Sequence, residues 1–595
     1  MYISFKVQWK ERRRMLDIRG AMHLMLLSFA IQTYAVKFDY VIIGGGTCGL
    51  LLANRLSEDP NTTVAVIEPG QDVRNNPNVT DPDNFLASFS TPIDWAYPSV
   101  VQPGAANRSF TFHSGRAIGG TSTINGMTYI RADAAEIDAW EAFGNEGWNW
   151  EALFPYYKKV EKFTRPTMAQ VAAGASYEPE YHGRDGELHI GFRYELANGS
   201  FEKVAQEGWE DLGYPVNRDV NGGSTRGFDV WPQTVDRESD LRWDAARAFY
   251  YAVQHRANLS ILNGTAIRLV WGTTKDGSLR MKATGVEYTN TGNETIVVTI
   301  GKEAVLSAGS LRTPLLLESS GIGNHQILES LGIDTIIDLA GVGEYLQEQP
   351  NNELLFSGVL NVTGSTTYAT FGTAEDIYGH KKSVVATSTN ASLARYAQLV
   401  AAASQNGVNA TALERVYRIQ HELIFSRNVT ISETLTYGSA GLLLSAWWPL
   451  LPFSRGSVHL GSVHQTDQPV IDPRYFLADI DLVTQIAIGK QAQVFWNTDR
   501  VEGYVGTNLT ANPGTDEEWA QYITNSFTPN YHPIGTASMM ARELGGVVDP
   551  SLKVYGTNNV RVVDASILPL QVSGHLTATL YAVAERAAEI IRFWP

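Results

Sequence analysis

Two histidines near the C-terminus sit in settings that packing alone seldom produces. His532 lies in Asn530-Tyr531-His532-Pro533-Ile534-Gly535-Thr536, an irregular Pro- and Gly-bearing stretch. Such a segment can hold a side chain over a cavity. His575 opens an apolar-periodic run, Leu576 to Trp594, that predicts a long helix, with Ser573 and Gly574 as its start signals. A histidine at a helix N-terminus meets the positive end of the dipole, which disfavours imidazolium. A neutral imidazole is what a general base needs near neutral pH.

A second set of residues lies at the other end of the chain. Phe38 to Ile43 is a short β-rich run, and Gly44-Gly45-Gly46-Thr47-Cys48-Gly49 follows it. Leu50 to Leu56 has helical spacing, and Thr62 to Ile67 reads as a second strand that ends at Glu68. Gly44, Gly46 and Gly49 fit the dinucleotide fingerprint in its strand–turn–helix context. They allow a tight turn, close approach of a pyrophosphate and close helix–strand packing. The helix start offers N–H groups to phosphates, and Glu68, nineteen residues after Gly49, is placed to accept from a ribose hydroxyl. Cys48 reads as a small residue in a tight turn, because no second cysteine exists to resolve an oxidised form.

The elements that must carry these groups are scattered. A polar excursion runs from Asn75 to Asn84, a second glycine cluster from Gly115 to Gly126, and residues 140–235 are Trp-, Gly- and Pro-rich. A helix is expected over Asp244–Gln254. Strands are expected over Leu259–Leu262, Ala266–Trp271, Ala283–Tyr288, Thr295–Ile300 and Glu303–Ser307, and a helix start at Thr313–Leu317. Residues 345 to 528 read as loop-rich, and Val560–Asp564 as a final strand. The expected class is α/β (α+β). One dinucleotide-binding lobe would come from 37–80, 240–344 and 529–595, and a second lobe from 81–239 and 345–528.

At 595 residues the chain can bury large cores. A net charge of −16 and a pI near 5.3 argue against nucleic acid or an anionic membrane as partner. A basic start and the apolar run Ala21–Ile31 have signal-peptide dimensions, too short to span a membrane. Residues 1–36 therefore read as a leader, with Met1 or Met22 as the start. Twelve Asn-x-Ser/Thr sequons, at Asn61, Asn78, Asn107, Asn198, Asn258, Asn263, Asn293, Asn361, Asn390, Asn409, Asn428 and Asn508, suggest a glycosylated protein, secreted or in the cell wall. No metal-ligand pattern appears: His459 and His464 lack carboxylates at matching spacing.

Four ordered blocks resemble the glucose–methanol–choline (GMC) flavoenzymes, and among them the glucose oxidase-like members. They are the dinucleotide loop with Glu68, the block Gly115–Thr128, the block Gly309–Gly323, and the histidine region with Gly545-Gly546-Val547-Val548-Asp549. The resemblance implies a second lobe on an antiparallel sheet and a non-covalent FAD. Thr47, Cys48 and Glu68 would hold its ADP half, with Ile267 beside the adenine. Thr121, Asn125, Gly126 and Thr128 would line the diphosphate–flavin side, and Asp564, Ala565 and Thr577 the remainder. It also implies oxidation of an alcohol by hydride transfer to flavin, with His532 as base, His575 bonded to the substrate oxygen, and O2 or a quinone as acceptor. A homodimer is within the same expectation.

The departures point at the substrate. Thr528 stands where sugar-oxidising relatives carry an arginine, although Asn530 is kept. Losing that fork removes several hydrogen bonds to polyol hydroxyls. Trp448 and Tyr97 match aromatic pocket positions, so a non-sugar alcohol, aromatic, heterocyclic or from secondary metabolism, is expected. Tyr181 and Gly222 occupy the positions of a disulfide found in the relatives. His113 resembles the flavin-linking histidine of other relatives, but its offset from the glycines differs. The alternative is a non-redox cyclase or lyase that keeps FAD for structure. A non-enzymatic surface protein is disfavoured by the intact histidine pair.

Overall fold

A computed structural model describes residues 36–272, 280–359, 363, 367–405, 407–439, 441–463 and 468–593. The leader up to residue 35, Asn361 and His464 lie outside them. In chain order the main strands are β1 (Lys37–Ile43), β2 (Val64–Glu68), β3 (Gly227–Val230), β4 (Leu259–Trp271), β5 (Ala283–Asn290), β6 (Thr295–Leu306), β7 (Pro350–Gly358), β8 (Tyr368–Thr373), β9 (Thr430–Ser439), β10 (Leu442–Pro449), β11 (Val505–Asn508), β12 (Thr528–Pro529) and β13 (Val560–Val562). The main helices are α1 (Thr47–Leu56), α2 (Trp150–Val160), α3 (Thr313–Ser319), α4 (Lys382–Ala403), α5 (Ala410–Phe425), α6 (Asp479–Trp496), α7 (Asp516–Ser526) and α8 (Leu576–Phe593).

Two sheets organise residues 38–595, which form one compact unit. The first runs β1–β2–β4–β5–β6–β13, and β6 also pairs with β1. Its β1–β2, β2–β4 and β6–β13 ladders are parallel. β2 is buried throughout, as a parallel strand covered on both faces must be. Helix α8 packs on α1 and α2, so a helix from the 81–239 segment covers the C-terminal one. The second sheet runs β11–β7–β10–β9–β8–β3, with β12 paired to β7. Its central ladders are antiparallel, and α6 covers one face of β10.

The loop-rich expectation for 345–528 is overturned: that stretch holds four long helices and most of the second sheet. The N-terminal half of α4 is rich in Ser, Thr and Asn, residues that favour turns in isolation, and β9 is buried on both faces although one of them carries Thr430, Ser432, Thr434 and Thr436. The helix expected over Asp244–Gln254 is confined to Ala245–Phe249. The paired short strands expected at 259–271 and 295–307 are each continuous. A register shift between Ala266 and Arg268 leaves Ile267 as the bulged residue of β4.

Candidate active site

Antiparallel register sets side chains on the second sheet in rows. Trp448, Glu433 and Phe371 are cross-strand partners on β10, β9 and β8. Glu353, Ala446, Leu435 and Ala369 form the next row. Alternate residues of a strand share a face, so both rows look the same way. Trp448, Glu353, Ala446 and Leu435 of these rows help wall a cavity of about 1160 Å³, which the glycine loops packed on the first sheet also line.

His532 and His575 meet at one end of this cavity, with ring centroids 4.8 Å apart at 86°. The backbone turns through the left-handed region at Tyr531 (φ 62°) just before His532. Glu348 anchors that turn: its Oε1 accepts from the backbone N–H of Gln349 at 2.9 Å and of His532 at 3.2 Å. Burial pushes the Glu348 carboxyl up to about 8. Gln571 Nε2 donates to the His532 carbonyl at 2.6 Å.

Two side-chain amides, Gln349 and Asn530, meet Nδ1 of His532. Gln349 Nε2 donates to the Leu450 carbonyl at 3.0 Å, so its Oε1 faces His532 Nδ1 at 2.9 Å. Asn530 Nδ2 lies 3.0 Å from the same Nδ1 but also donates to Gln349 Oε1 at 3.1 Å. With that amide hydrogen on Gln349, Nδ1 carries its own hydrogen toward Oε1 and Nε2 keeps its lone pair. Burial, and secondly the neighbouring His575, hold the His532 pKa well below the usual histidine range. That is a neutral base with its acceptor nitrogen defined. On His575, Nε2 donates to Glu433 Oε1 at 3.1 Å, which leaves Nδ1 as the other polar atom of the ring. Trp448 stands edge-on to His575 at 5.9 Å.

The opposite end is a glycine cradle. Gly44 takes φ +104°, and a Cβ there would meet the Ser307 carbonyl oxygen at 2.4 Å. The first and second glycine loops touch backbone to backbone: a Cβ on Gly120 would lie 2.6 Å from Gly46 Cα. Helix α1 has no side-chain cap and no acid in its first turn, so its N-terminal N–H groups remain open to an anion. Glu68 closes this end, accepting from Gly45 N at 2.8 Å and Gly70 N at 2.7 Å. Burial pushes its carboxyl up to about 7.

The GMC oxidoreductase N-terminal family profile matches residues 38–351, and the C-terminal profile residues 452–584. The chain belongs to the GMC oxidoreductase family. It is 53% identical to the glucose oxidase-like protein fsoC of Humicola fuscoatra, over 93% of this chain and 95% of that one. It is 36% identical to a glucose oxidase of Aspergillus carbonarius, over 93% and 92%. Among solved structures, an FAD-dependent oxidoreductase from Chaetomium thermophilum superposes with TM-score 0.85 at 29% identity, covering 93% of this chain and 99% of that one. A fungal aryl-alcohol oxidase gives TM-score 0.81 at 26%, covering 93% and 98%.

This GMC oxidoreductase is an FAD-dependent enzyme acting on CH–OH groups. Its residues fit the cofactor. Besides the open helix end and the Cβ-free cradle, five buried polar atoms on the cavity wall have no protein partner: Trp231 Nε1, Gln233 Oε1, Ser307 Oγ, Asn351 Oδ1 and Trp448 Nε1. A wall with so many unpaired groups calls for a polar ligand. Gly44, Gly46, Thr47, Cys48 and Glu68 would hold the dinucleotide end. Thr121, Asn125, Gly126, Thr128, Asp564, Ala565 and Thr577 all line the same cavity and would hold the rest. Asn125 Nδ2 already donates to Thr577 Oγ1 at 3.2 Å, joining the second glycine cluster to the start of α8.

Some expected residues sit elsewhere. Gly49 does not line the cavity; its missing Cβ lets α1 approach the Gly44 carbonyl. Ile267 is also off the wall, where Thr265 and Ala266 stand instead. Tyr97 is buried behind the wall against Phe110 and Phe112, and accepts from Arg312 at 3.2 Å; Phe85, Phe89 and Trp95 face the cavity in its place. Thr528, Asn530 and Trp448 do line it. Ser573 does not cap α8; its hydroxyl and N–H donate to Glu136. Burial raises the Cys48 thiol well above its ordinary range. His113 lines the cavity, with Nδ1 2.5 Å from Asp94 and the ring stacked on Phe89 at 3.9 Å.

His459 has the carboxylates its local sequence lacks. Glu318 and Glu344 reach it from far along the chain, and they hold its pKa up to about 10. No metal-holding group of His, Cys, Asp and Glu occurs among the described residues. The functional residues missed in the sequence are Glu433, Gln349, Glu348 and Gln571. Only Glu433 left a signal, as a lone acid inside the β-rich run Thr430–Ser439.

Proposed function

We propose that this enzyme oxidises a non-sugar alcohol, aromatic, heterocyclic or from secondary metabolism, and passes the electrons to O2 or a quinone. The observation that carries this is the wall beside the histidines: Leu435, Ala446, Leu444 and Trp448, with the neutral Thr528 at the position of the sugar-gripping arginine. Similarity to an aryl-alcohol oxidase fold supports it; the 36% identity to a glucose oxidase is the weight on the other side.

Bound FAD, held without a covalent link, supplies a two-electron hydride acceptor. The protein does the rest. His532 Nε2 takes the hydroxyl proton, and the resulting imidazolium shares its Nδ1 proton with Gln349 Oε1. His575, oriented by Glu433, turns Nδ1 toward the substrate oxygen and hydrogen-bonds it when a proton is carried there as well as on Nε2. Trp448, with Phe85, Phe89 and Trp95 on the same cavity, excludes water, which strengthens both contacts. Anaerobic mixing with glucose, benzyl alcohols, furan methanols and short aliphatic alcohols tests the reading. Bleaching by an aryl or heterocyclic alcohol is expected, and strong turnover of glucose with weak turnover of aryl alcohols would sink it. Bound FAD that no alcohol bleaches would favour the non-redox alternative.

Secretion and N-glycosylation belong to the same proposal. Asn61, Asn107, Asn198, Asn293, Asn390, Asn409 and Asn428 are exposed. Asn258 is a poor acceptor, because its amide donates to the carbonyls of Ser57, Asp59 and Thr62. A mobility shift on endoglycosidase treatment of protein from a eukaryotic host is the check.

A further inference from the structure

Four carboxylates among the described residues line the cavity, and three are engaged. Glu68 accepts from Gly45 and Gly70. Asp83 is paired with Arg193, and Asp564 accepts from Gly309 and Thr313. The fourth, Glu353, lines the cavity and is exposed. Among the described residues its carboxylate has no hydrogen bond or ion pair, and partial burial raises its pKa.

Its position follows from the register. Glu353 pairs with Ala446, which pairs with Leu435. It therefore stands one two-residue step, about 6.7 Å, along the sheet from the row of Trp448 and Glu433, and two strands, about 9.6 Å, across from β9. The side chains between, Ala446 and Leu435, are apolar. An alcohol with its carbinol at His532 would lay its body over this apolar strip and bring its far end to Glu353.

We propose that Glu353 is a specificity residue, and that the substrate is an alcohol carrying a second hydrogen-bond donor, hydroxyl or ammonium, several bonds from the reacting carbinol. This rests on the alcohol-oxidation reading above. An unpaired carboxylate on a half-apolar wall favours a ligand that supplies the missing donor and disfavours one that leaves it unpaired. It also opposes a substrate bearing a carboxylate at that end.

The test uses the holoenzyme and a para-substituted benzyl alcohol series: 4-methyl, 4-hydroxymethyl, 4-aminomethyl and 4-carboxy. The anaerobic rate of flavin reduction is read for the wild type and for Glu353→Gln. The wild type is expected to favour a donor-bearing probe over the methyl probe by about tenfold or more, and to disfavour the carboxy probe. Glu353→Gln should shrink the donor preference at least several-fold and leave the methyl probe within about twofold. A response confined to the aminomethyl probe identifies an ammonium; a response to both donors identifies a general donor site. Equal treatment of methyl and donor probes, or ratios unmoved in Glu353→Gln, overturns the assignment. A binding arm separates the two readings: 4-methylbenzylamine, which has no carbinol, is titrated by its perturbation of the flavin spectrum. If no alcohol reduces the flavin but the amine binds at least several-fold more weakly to Glu353→Gln, alcohol oxidation fails and the Glu353 site stands. Equal amine affinity in the two proteins removes the ammonium site.

Discussion

Glu433 Oε1 accepts from His575 Nε2 at 3.1 Å, across 142 residues of chain. The carboxylate is fully buried on β9, in the row that also carries Trp448. It fixes which nitrogen of His575 faces away from the sheet. Glu433→Gln keeps the shape but loses the charge that holds this tautomer. The expected result is a fall in kcat on the order of 10²-fold with full FAD content. Unchanged kcat would show that the contact is structural only.

His532 is held neutral by burial and by His575. A base whose pKa lies well below the usual histidine value is active above that depressed value and lost only as pH falls through it. The kcat/KM profile is therefore expected to stay flat down through pH 6.5 and to drop only in more acid solution. His532→Ala should lower kcat/KM by roughly 10²–10⁴-fold and leave the protein yellow. An acid limb centred near 6.5 in the wild type would contradict this account.

Glu348 makes a stability prediction. Its folded pKa, about 8, lies above the ordinary carboxyl value of 4.5. The folded state binds the proton more tightly, so the contribution is complete below about 4.5 and is lost as pH rises through about 8. Glu348→Gln, which can still accept from the Gln349 and His532 N–H groups, removes this dependence. Its melting temperature relative to wild type should be higher at pH 8 than at pH 5. A constant difference across that range would count against a raised pKa.

The contact between Gly46 and Gly120 predicts a colour change. Gly120 takes φ +54°, and an added Cβ would meet backbone that cannot move aside. Gly120→Ala is expected to part the two glycine loops, giving purified protein with little bound FAD and a lower melting temperature. Full flavin content at wild-type stability would show that the loops tolerate separation.

The first sheet and the glycine cradle were legible because their signals are local. Strand, turn and helix follow one another within residues 38–68, and each glycine answers a backbone requirement there. The histidines were legible from their flanking Pro, Gly and helix-start residues. Their partners were not. Gln349 and Glu433 reach the site through pairing between β7, β10 and β9, and nothing near either residue encodes that register. Tyr97 failed for the opposite reason: its local match was good, but the chain turns so that Phe85, Phe89 and Trp95 line the cavity instead. Thr528 could be read for type, but only the register of β7 with β12 and β10 brings it and Glu353 to one cavity.

The edge strand β13 and helix α8 are made from the last thirty-odd described residues, yet β13 pairs with β6 and α8 packs on α1 beside the first glycine loop. The earliest and latest parts of the chain are thus partners in one cradle. During synthesis the dinucleotide loop emerges long before the strand and histidine that complete its surroundings. The finished site therefore exists only once β13 has joined β6 and α8 has docked on α1. Until then β6 lacks its β13 neighbour and the cradle lacks its last wall, so flavin retention is bound to the folding of the chain's two far-apart segments together.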